Sequence, residues 1–201
     1  MTRSGSEQFV RVTAALLQAA AQDTAAAIAD AAQVPHPTTH RILRFYRYHG
    51  AVAAGRGPLK PDKRKVFHLA TGLRRDRAVP DLVLRHAPGP AAAVADLKAA
   101  GIPFVVAFAS AANLLAYFEP PAHASLLIRR DDAARIRTLL GRRKGPGRVH
   151  LYYRDLETIP TVSRQGVRVT EPFRTLLDAG ADASAGAHAE FLYQALVERG
   201  R

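Results

Sequence analysis

The sequence predicts a mixed α/β protein of the α+β class, and three observations support this. Apolar residues recur at three- and four-residue spacing through the first quarter of the chain, which is typical of amphipathic helices. Further along, from about residue 81, short apolar runs alternate with helical segments. A charged, aperiodic stretch at 71–80 separates the two patterns. We therefore expect two domains, residues 1–72 and residues 80–201.

The first domain is predicted to begin with three helices. Helical spacing of apolar residues predicts helices over 6–21 and 24–32, with Asp23 as the N-cap of the second. A tight turn at 33–36 follows, and a third helix is expected from Pro37 to His49, since proline is well tolerated in the first helical turn. Two helices joined by such a turn predict a helix-turn-helix unit.

The third helix divides into two faces of different chemistry. Ile42, Leu43 and Tyr46 lie on one apolar stripe and are expected to pack inward. The other face is basic, and its chemistry is what a DNA major groove accepts. The residues expected to approach DNA from this helix are Thr38, Thr39, His40, Arg41, Arg44, Arg47 and Tyr48. A solvated basic helix on an ordinary domain is the alternative.

A basic β-hairpin is predicted directly after this helix. Residues 51–54 are expected to form its first strand, residues 55–63 its loop and residues 64–69 its second strand. A hairpin in this place is the wing of a winged-helix DNA-binding domain, and its tip and second strand carry Lys60, Lys63, Arg64 and Lys65. We expect these side chains to contact phosphates. Use of the same fold to bind a protein is the alternative.

The charge distribution favours a nucleic-acid partner for the first domain. The net charge is +12, and residues 1–75 hold 12 Lys and Arg against 4 Asp and Glu, whereas residues 76–201 hold 17 against 13. The chain has no cysteine, which excludes disulfides and thiolate zinc sites. No apolar run approaches the roughly 20 residues that span a bilayer, so we expect a cytoplasmic protein with no membrane contact.

The second domain shows no pattern typical of an enzyme. Its histidines are scattered, the glycines at 141–147 lack phosphate-loop spacing, and Asp131 and Asp132 are better explained as helix caps than as metal ligands. Nucleotidyl transfer, the leading enzymatic alternative, needs a Gly-Ser turn before two carboxylates on one strand, and this is missing. We expect no catalytic residue, cofactor or metal. The basic turn at 141–148 could contact nucleic acid or an acidic partner, and this stays open.

The order of elements in the second domain resembles that of AbiEi-type antitoxins. The resemblance covers nearly the whole chain, because that family also begins with a winged helix. It depends on four segments, of which the last is the most telling: Phe104–Phe108 leading into Ser110–Leu115, then Leu126–Ile128, Val149–Tyr152 and Val169–Asp178.

The resemblance implies the antitoxin of a type IV toxin–antitoxin system. Its first domain would bind inverted repeats of double-stranded DNA in its own promoter as a repressor, as a monomer or a dimer. Its second domain would support repression and neutralise a nucleotidyltransferase-like toxin. Independently of the resemblance, Arg174 and Asp178 lie four residues apart on one predicted helix face, so we expect an ion pair between them that holds the helix in place.

Overall fold

A computed structural model describes residues 3–53, 57–86, 89–141 and 145–200. The mixed α/β class predicted from the sequence is confirmed, since helices pack on one six-stranded mixed sheet in these ranges. The helices are α1 (Arg3–Gln18), α2 (Ala25–Ala32), α3 (His36–Tyr48), α4 (Lys63–Gly72), α5 (Pro90–Ala99), α6 (Phe108–Leu115), α7 (Ala133–Gly141), α8 (Pro172–Ala181) and α9 (Gly186–Tyr193). None of these helices is both long and apolar enough to cross a membrane.

The sheet contains both parallel and antiparallel pairs. Its strands are β1 (Leu82–His86), β2 (Val105–Val106), β3 (His123–Ile128), β4 (Gly147–Tyr153), β5 (Thr161–Arg164) and β6 (Val167–Thr170). They lie in the order β1-β4-β3-β2-β6-β5. The pairs β3–β4 and β2–β6 are parallel, and the remaining neighbours are antiparallel. Short 3₁₀ turns lie at Arg75–Ala78, Arg130–Asp132, Leu156–Thr158 and Ala183–Ala185, and the chain continues from α9 into one π-helical turn, Gln194–Glu198.

The two faces of the sheet are covered differently. On one face, Leu97 of α5 and Ile136 of α7 pack against strand residues such as Leu126. On the opposite face, Phe108 at the start of α6 stacks on Tyr152, with ring centroids 4.3 Å apart. Successive strand residues point to opposite faces, which is why the strands in the centre of the sheet are apolar almost throughout.

One hydrophobic cluster joins the N-terminal helices to the helices that follow the sheet. It includes Leu16 and Leu43 from α1 and α3, Phe67 from α4, Leu176 from α8 and Leu192 from α9, all of them buried. The α4 helix therefore packs between the helix-turn-helix unit and α8. Side chains from both sides of residues 72–80 share this core. The division of the chain into two domains at these residues stays a prediction.

The predicted wing is wrong in its second strand, because residues 63–72 form α4. Its first strand is reduced to a single antiparallel bridge between Val52 and Pro61. Asp62 caps the helix by accepting a hydrogen bond from the backbone N–H of Lys65, at 3.0 Å. Val66, Phe67 and Ala70 then form a buried stripe at helical spacing. A cap followed by this spacing favours a helix over a strand.

A glycine permits the close approach of α4 and α8. A β-carbon at Gly180 would lie 2.7 Å from Cζ of Phe67 and 2.6 Å from Cγ2 of Thr71. Both distances are shorter than van der Waals contact allows, and both neighbours are packed in the core. The alternation of strands and helices predicted from about residue 81 is present, and β5 is an additional strand that was not predicted from the sequence.

Candidate nucleic-acid interface

A three-residue turn at 33–35 places α3 relative to α2. Thr24 caps α2 by accepting a hydrogen bond from the N–H of Ala27, so the predicted cap at Asp23 is wrong; the Asp23 carboxylate instead accepts from the N–H of Ala20. Gln33 ends α2 in the left-handed region, with φ 50° and ψ 46°. The N–H of Val34 then donates to the carbonyl of Ala29, which closes the turn before α3 begins.

The inner face of α3 is anchored in the core. Tyr46 is fully buried, and its hydroxyl lies 2.7 Å from the hydroxyl of Thr13 on α1. Its ring stacks on Phe9, with centroids 5.8 Å apart. Burial raises the pKa of the Tyr46 hydroxyl, so this group is a neutral hydrogen-bonding partner. Together with the buried Ile42 and Leu43, these contacts fix the rotation of α3 about its own axis.

The outer face of α3 is basic and solvated. His40, Arg41, Arg44 and Tyr48 are exposed, and Tyr48 keeps 84% of its surface in solvent. Arg47 is half-buried, and its Nε is enclosed without a hydrogen-bond partner. Within the described ranges, the arginines of α3 form no ion pair with an acidic side chain. The guanidinium groups are therefore available to an external anion.

Two threonines predicted to contact DNA are placed differently. Thr39 is fully buried, and its hydroxyl donates to the carbonyl of Val34 at 3.3 Å. The prediction that Thr39 approaches base edges is therefore wrong, because this side chain stabilises the turn. Thr38 is half-buried at the margin of the exposed face. At 100° per residue, Thr39 falls on the side that faces the core and Thr38 at the edge of that side.

The basic residues that were predicted to lie on the wing separate into two groups. Lys60 and Lys65 are exposed and Lys63 is half-buried, with Lys65 Nζ 3.7 Å from the Asp62 carboxylate. These three lie just before α4 or in its first turn. They do not lie on a wing, but their ammonium groups are accessible to solvent and can therefore contact a phosphate. Residues 54–56, at the end of the predicted first strand and the start of the predicted loop, lie outside the described residues.

Arg64 forms ion pairs with one carboxylate of α9 and one of the π-helical turn that follows it. Its Nη1 lies 2.6 Å from Oε2 of Glu190, and its Nη2 lies 3.1 Å from Oε1 of Glu198. The guanidinium carbon also lies 4.2 Å from the centroid of the Tyr193 ring. The hydrogen bond to Glu190 raises the pKa of Arg64 and lowers that of Glu190. Because α4 turns this side chain toward α9, a phosphate would have to compete with both carboxylates for Arg64. The phosphate contact of Arg64 stays a prediction.

A buried network of charges joins α1, the segment just after α4, and α8. Arg174 Nε donates to Asp178 Oδ2 at 3.2 Å, which confirms the ion pair predicted within α8. The network is larger than predicted, because Arg74 also binds Asp178 and Glu7 of α1 binds Arg174. Burial raises the pKa of Asp178, but the two guanidinium groups outweigh it and the net shift is downward. The carboxylate is therefore charged.

The histidines do not form a metal site in the described parts of the chain. His123 and His150 stack at 3.7 Å between ring centroids, on neighbouring strands. Burial lowers the pKa of both rings, that of His150 to about 4, so the pair is neutral at pH 7. No group of three or more histidine, aspartate or glutamate side chains among the described residues could hold a metal ion. The lysine and arginines at 142–144, in the predicted basic turn, lie outside the described residues.

The structure thus presents the outer face of α3 as one basic surface, and Lys60, Lys63 and Lys65 follow it in the chain, just before α4 or in its first turn. Missing from the sequence analysis were Glu7 and Arg74, whose partners are remote in the chain. Comparison of the chain with models of protein families, with curated proteins and with solved structures finds no match.

Proposed function

We propose that this protein binds double-stranded DNA, with α3 lying in the major groove as the recognition helix. The observation that carries the proposal is the clean division of α3 into a buried face and an unpaired basic face. A helix fits the major groove, where arginine and histidine side chains have both base edges and phosphates within reach. The rotation of α3 is fixed by Tyr46 and its neighbours, so the basic face is presented to solvent without rearrangement.

Three lysines just before α4 or in its first turn add positive charge after α3. We assign Arg41 and Arg47, with Lys60, Lys63 and Lys65, to phosphate contacts. Neutralising five phosphates gives a log–log dependence of affinity on salt with a slope of about −4.5. Arg64 makes no contribution in this assignment, because its guanidinium is already paired with two carboxylates.

A wider role follows from the family resemblance. We infer a repressor that binds inverted repeats in its own promoter in the cytoplasm, as a monomer or a dimer, and serves as antitoxin to a nucleotidyltransferase-like toxin. The support is the order of elements and the segment Val169–Asp178. In the structure that segment forms β6 and the start of α8. The antitoxin role is tested separately, by whether the chain restores growth to cells that produce the nucleotidyltransferase-like product of a neighbouring reading frame.

DNA binding is tested with labelled duplexes from the region upstream of the reading frame. Fluorescence anisotropy across a salt series should show binding at low salt that weakens steeply. The variant Arg41→Ala/Arg44→Ala/Arg47→Ala should lose at least 100-fold in affinity if each contact contributes about 1 kcal/mol or more. The matched control is Arg85→Ala/Arg137→Ala/Arg164→Ala, which removes the same charge from exposed positions elsewhere.

Two outcomes would overturn the proposal. One is the absence of binding by the unaltered chain at low salt. The other is an equal loss of affinity in both triple variants, since that would show attraction by net charge alone. If the α3 variant keeps its DNA affinity but loses a protein complex, the fold serves as a protein-interaction module. Incorporation of label from nucleoside triphosphates with Mg²⁺ would instead favour the enzymatic alternative.

A further inference from the structure

We propose that the ring of Tyr48 packs against the 5-methyl group of a thymine in the major groove, and so contributes to the choice of DNA sequence. This inference rests on the proposed function, because it gives one residue of the DNA-binding helix a specific task. Its starting point is the direction in which Tyr48 leaves α3. Four residues of α3 are buried and define its inner side: Thr39, Ile42, Leu43 and Tyr46.

Tyr48 lies on the outermost line of α3. At 100° per residue, the direction opposite the buried side falls within about 10° of Tyr48 and of Pro37. Arg41 and Arg44 flank this line on its two sides, each by about 30°. Burial agrees with this placement, because Tyr48 keeps 84% of its surface in solvent, more than any other large hydrophobic side chain in the described ranges. A helix that enters the major groove with this face forward brings the Tyr48 ring toward the bases.

A series of ring contacts connects Tyr48 with the core. The centroids of the Tyr48 and His49 rings lie 5.1 Å apart, with the two ring planes perpendicular. His49 in turn lies 4.7 Å from the ring of Phe45, and Phe45 lies 6.1 Å from the buried ring of Phe9 on α1. A tyrosine side chain has only two rotatable angles, and these contacts restrict them further. The ring therefore loses little conformational freedom when it meets a partner.

The chemistry of the ring indicates what it contacts. Of the groups that distinguish base pairs in the major groove, only the 5-methyl group of thymine is apolar, and the others are hydrogen-bond donors and acceptors. Contact between an aromatic ring and this methyl group removes apolar surface of both from water. Pro37 is also apolar and lies on the same line, but its ring closes onto its own backbone nitrogen and extends less far than the arginines beside it. Tyr48 is therefore the better placed of the two.

The experiment is selection of a binding site from a random duplex library, followed by replacement of each thymine of that site with deoxyuridine, which lacks only the 5-methyl group. One of these replacements should weaken binding by the unaltered chain by about 3- to 5-fold, as expected for the burial of one methyl group. Tyr48→Ala should bind the thymine and deoxyuridine duplexes equally well. Tyr48→Phe keeps the ring and should keep the preference for thymine.

The controls separate the contact from other effects of the missing methyl group. A change in DNA shape would persist in Tyr48→Ala, whereas a contact with the ring would not. Tyr117→Ala removes another exposed tyrosine, outside α3, and should keep the preference for thymine. Tyr48 carries no charge, so Tyr48→Ala should leave the dependence of affinity on salt unchanged. Because Tyr48 is exposed, this variant should also melt at about the same temperature as the unaltered chain.

The outcomes separate this inference from the function on which it rests. If the unaltered chain shows no salt-dependent binding, DNA binding itself fails. If it binds and enriches a site, but no thymine of that site is sensitive to deoxyuridine, the role of Tyr48 is overturned. The same conclusion follows if Tyr48→Ala prefers thymine as strongly as the unaltered chain does. Loss of the preference in Tyr48→Phe would also overturn it, since the hydroxyl rather than the ring would then make the contact.

Discussion

Arginines occupy two opposite environments in this molecule. On α3, Arg41 and Arg44 stand in solvent with no carboxylate to pair with among the described residues. Between α1, α4 and α8, Arg74 and Arg174 are buried, and the carboxylates of Asp178 and Glu7 surround them. The same side chain is therefore available to an external anion in one place and holds the fold together in the other.

The difference between the two environments is one of hydration and pairing. A buried guanidinium has lost its water, so the fold needs a carboxylate close by to offset that loss. Burial lowers the pKa of Arg174, yet Asp178 and Glu7 outweigh it and the net shift is upward. A solvated guanidinium keeps its water and exchanges it for an incoming anion at little cost. Stability should therefore depend on the first group of arginines, and DNA affinity on the second.

The largest effect should come from breaking the buried network. Asp178→Ala removes the carboxylate that pairs with Arg74 and one of the two carboxylates that pair with Arg174. We expect a loss of about 3–5 kcal/mol in the free energy of unfolding. Urea denaturation followed by circular dichroism measures this. Glu157→Ala, which removes the exposed partner of Arg129, is the matched control and should cost less than 1 kcal/mol. Equal effects of the two substitutions would show that the buried network has no special weight.

As the pH falls, protonation of the histidine pair should destabilise the fold before protonation of the carboxylates does. The pKa values of His123 and His150 are lowered in the folded state, that of His150 to about 4 against about 6.5 when unfolded. Their contribution is complete above pH 6.5 and is lost as the pH falls toward 4, with about 1–2 kcal/mol expected for the partly exposed His150. Asp178, whose pKa is lowered, loses its contribution only below about pH 4.

Unfolding by urea at a series of pH values checks this expectation. His150→Gln cannot be protonated, so the stability of the variant should change less between pH 6.5 and 4. If the profile of the variant matches that of the unaltered chain, another group titrates in this window. Asp182 and Arg148 also act electrostatically on both rings. A variant at each of these positions therefore serves as a control, and its stability is measured over the same pH range.

Arg64 lies between the two classes, and its replacement should have a smaller effect. It is paired with Glu190 and Glu198 but remains about 40% exposed. For Arg64→Ala we expect a loss of about 0.5–1 kcal/mol in stability. The slope of DNA affinity against salt should stay the same in the anisotropy assay. A reduction of the slope by about 1 would restore Arg64 to the phosphate contacts that the sequence predicted.

The smallest effect on stability is expected for substitutions on the outer face of α3. Arg41→Ala removes an exposed, unpaired side chain, and alanine is the better helix former, so the free energy of unfolding should change by no more than about 0.5 kcal/mol. Thermal melting of the variant beside the unaltered chain measures this directly. A loss above 1 kcal/mol would mean that the outer face of α3 contributes to the stability of the fold, as the buried arginines do.

Local signals predicted much of this molecule. The helix-turn-helix unit and the inner face of α3 follow from apolar spacing over a few turns, and the ion pair within α8 follows from a separation of four residues. The predicted wing failed at residues with a competing local signal, the cap at Asp62. The β5–β6 hairpin also had a local signal that was overlooked: Gln165 and Gly166 both adopt positive φ in a two-residue turn.

Distant pairings could not be predicted in this way. Nothing near Arg64 in the sequence indicates Glu190, 126 residues away, and nothing near Arg174 indicates Glu7. Thr39 was expected to be polar and exposed, whereas the turn needs its hydroxyl inside. A helical repeat indicates which face of a segment is apolar. It does not indicate which distant element will cover that face, nor which charged residues the contact will enclose.

The buried network also has a consequence for the order in which the protein is made. Its ion pairs join positions separated by 104 and 167 residues, so Glu7 and Arg74 are synthesised long before Asp178 and Arg174. A chain grows at roughly 5–20 residues per second, and its N-terminal segments begin to fold first. Several seconds therefore pass during which the N-terminal helices lack α8. The basic face of α3 is therefore complete before the core behind it can be closed by α8.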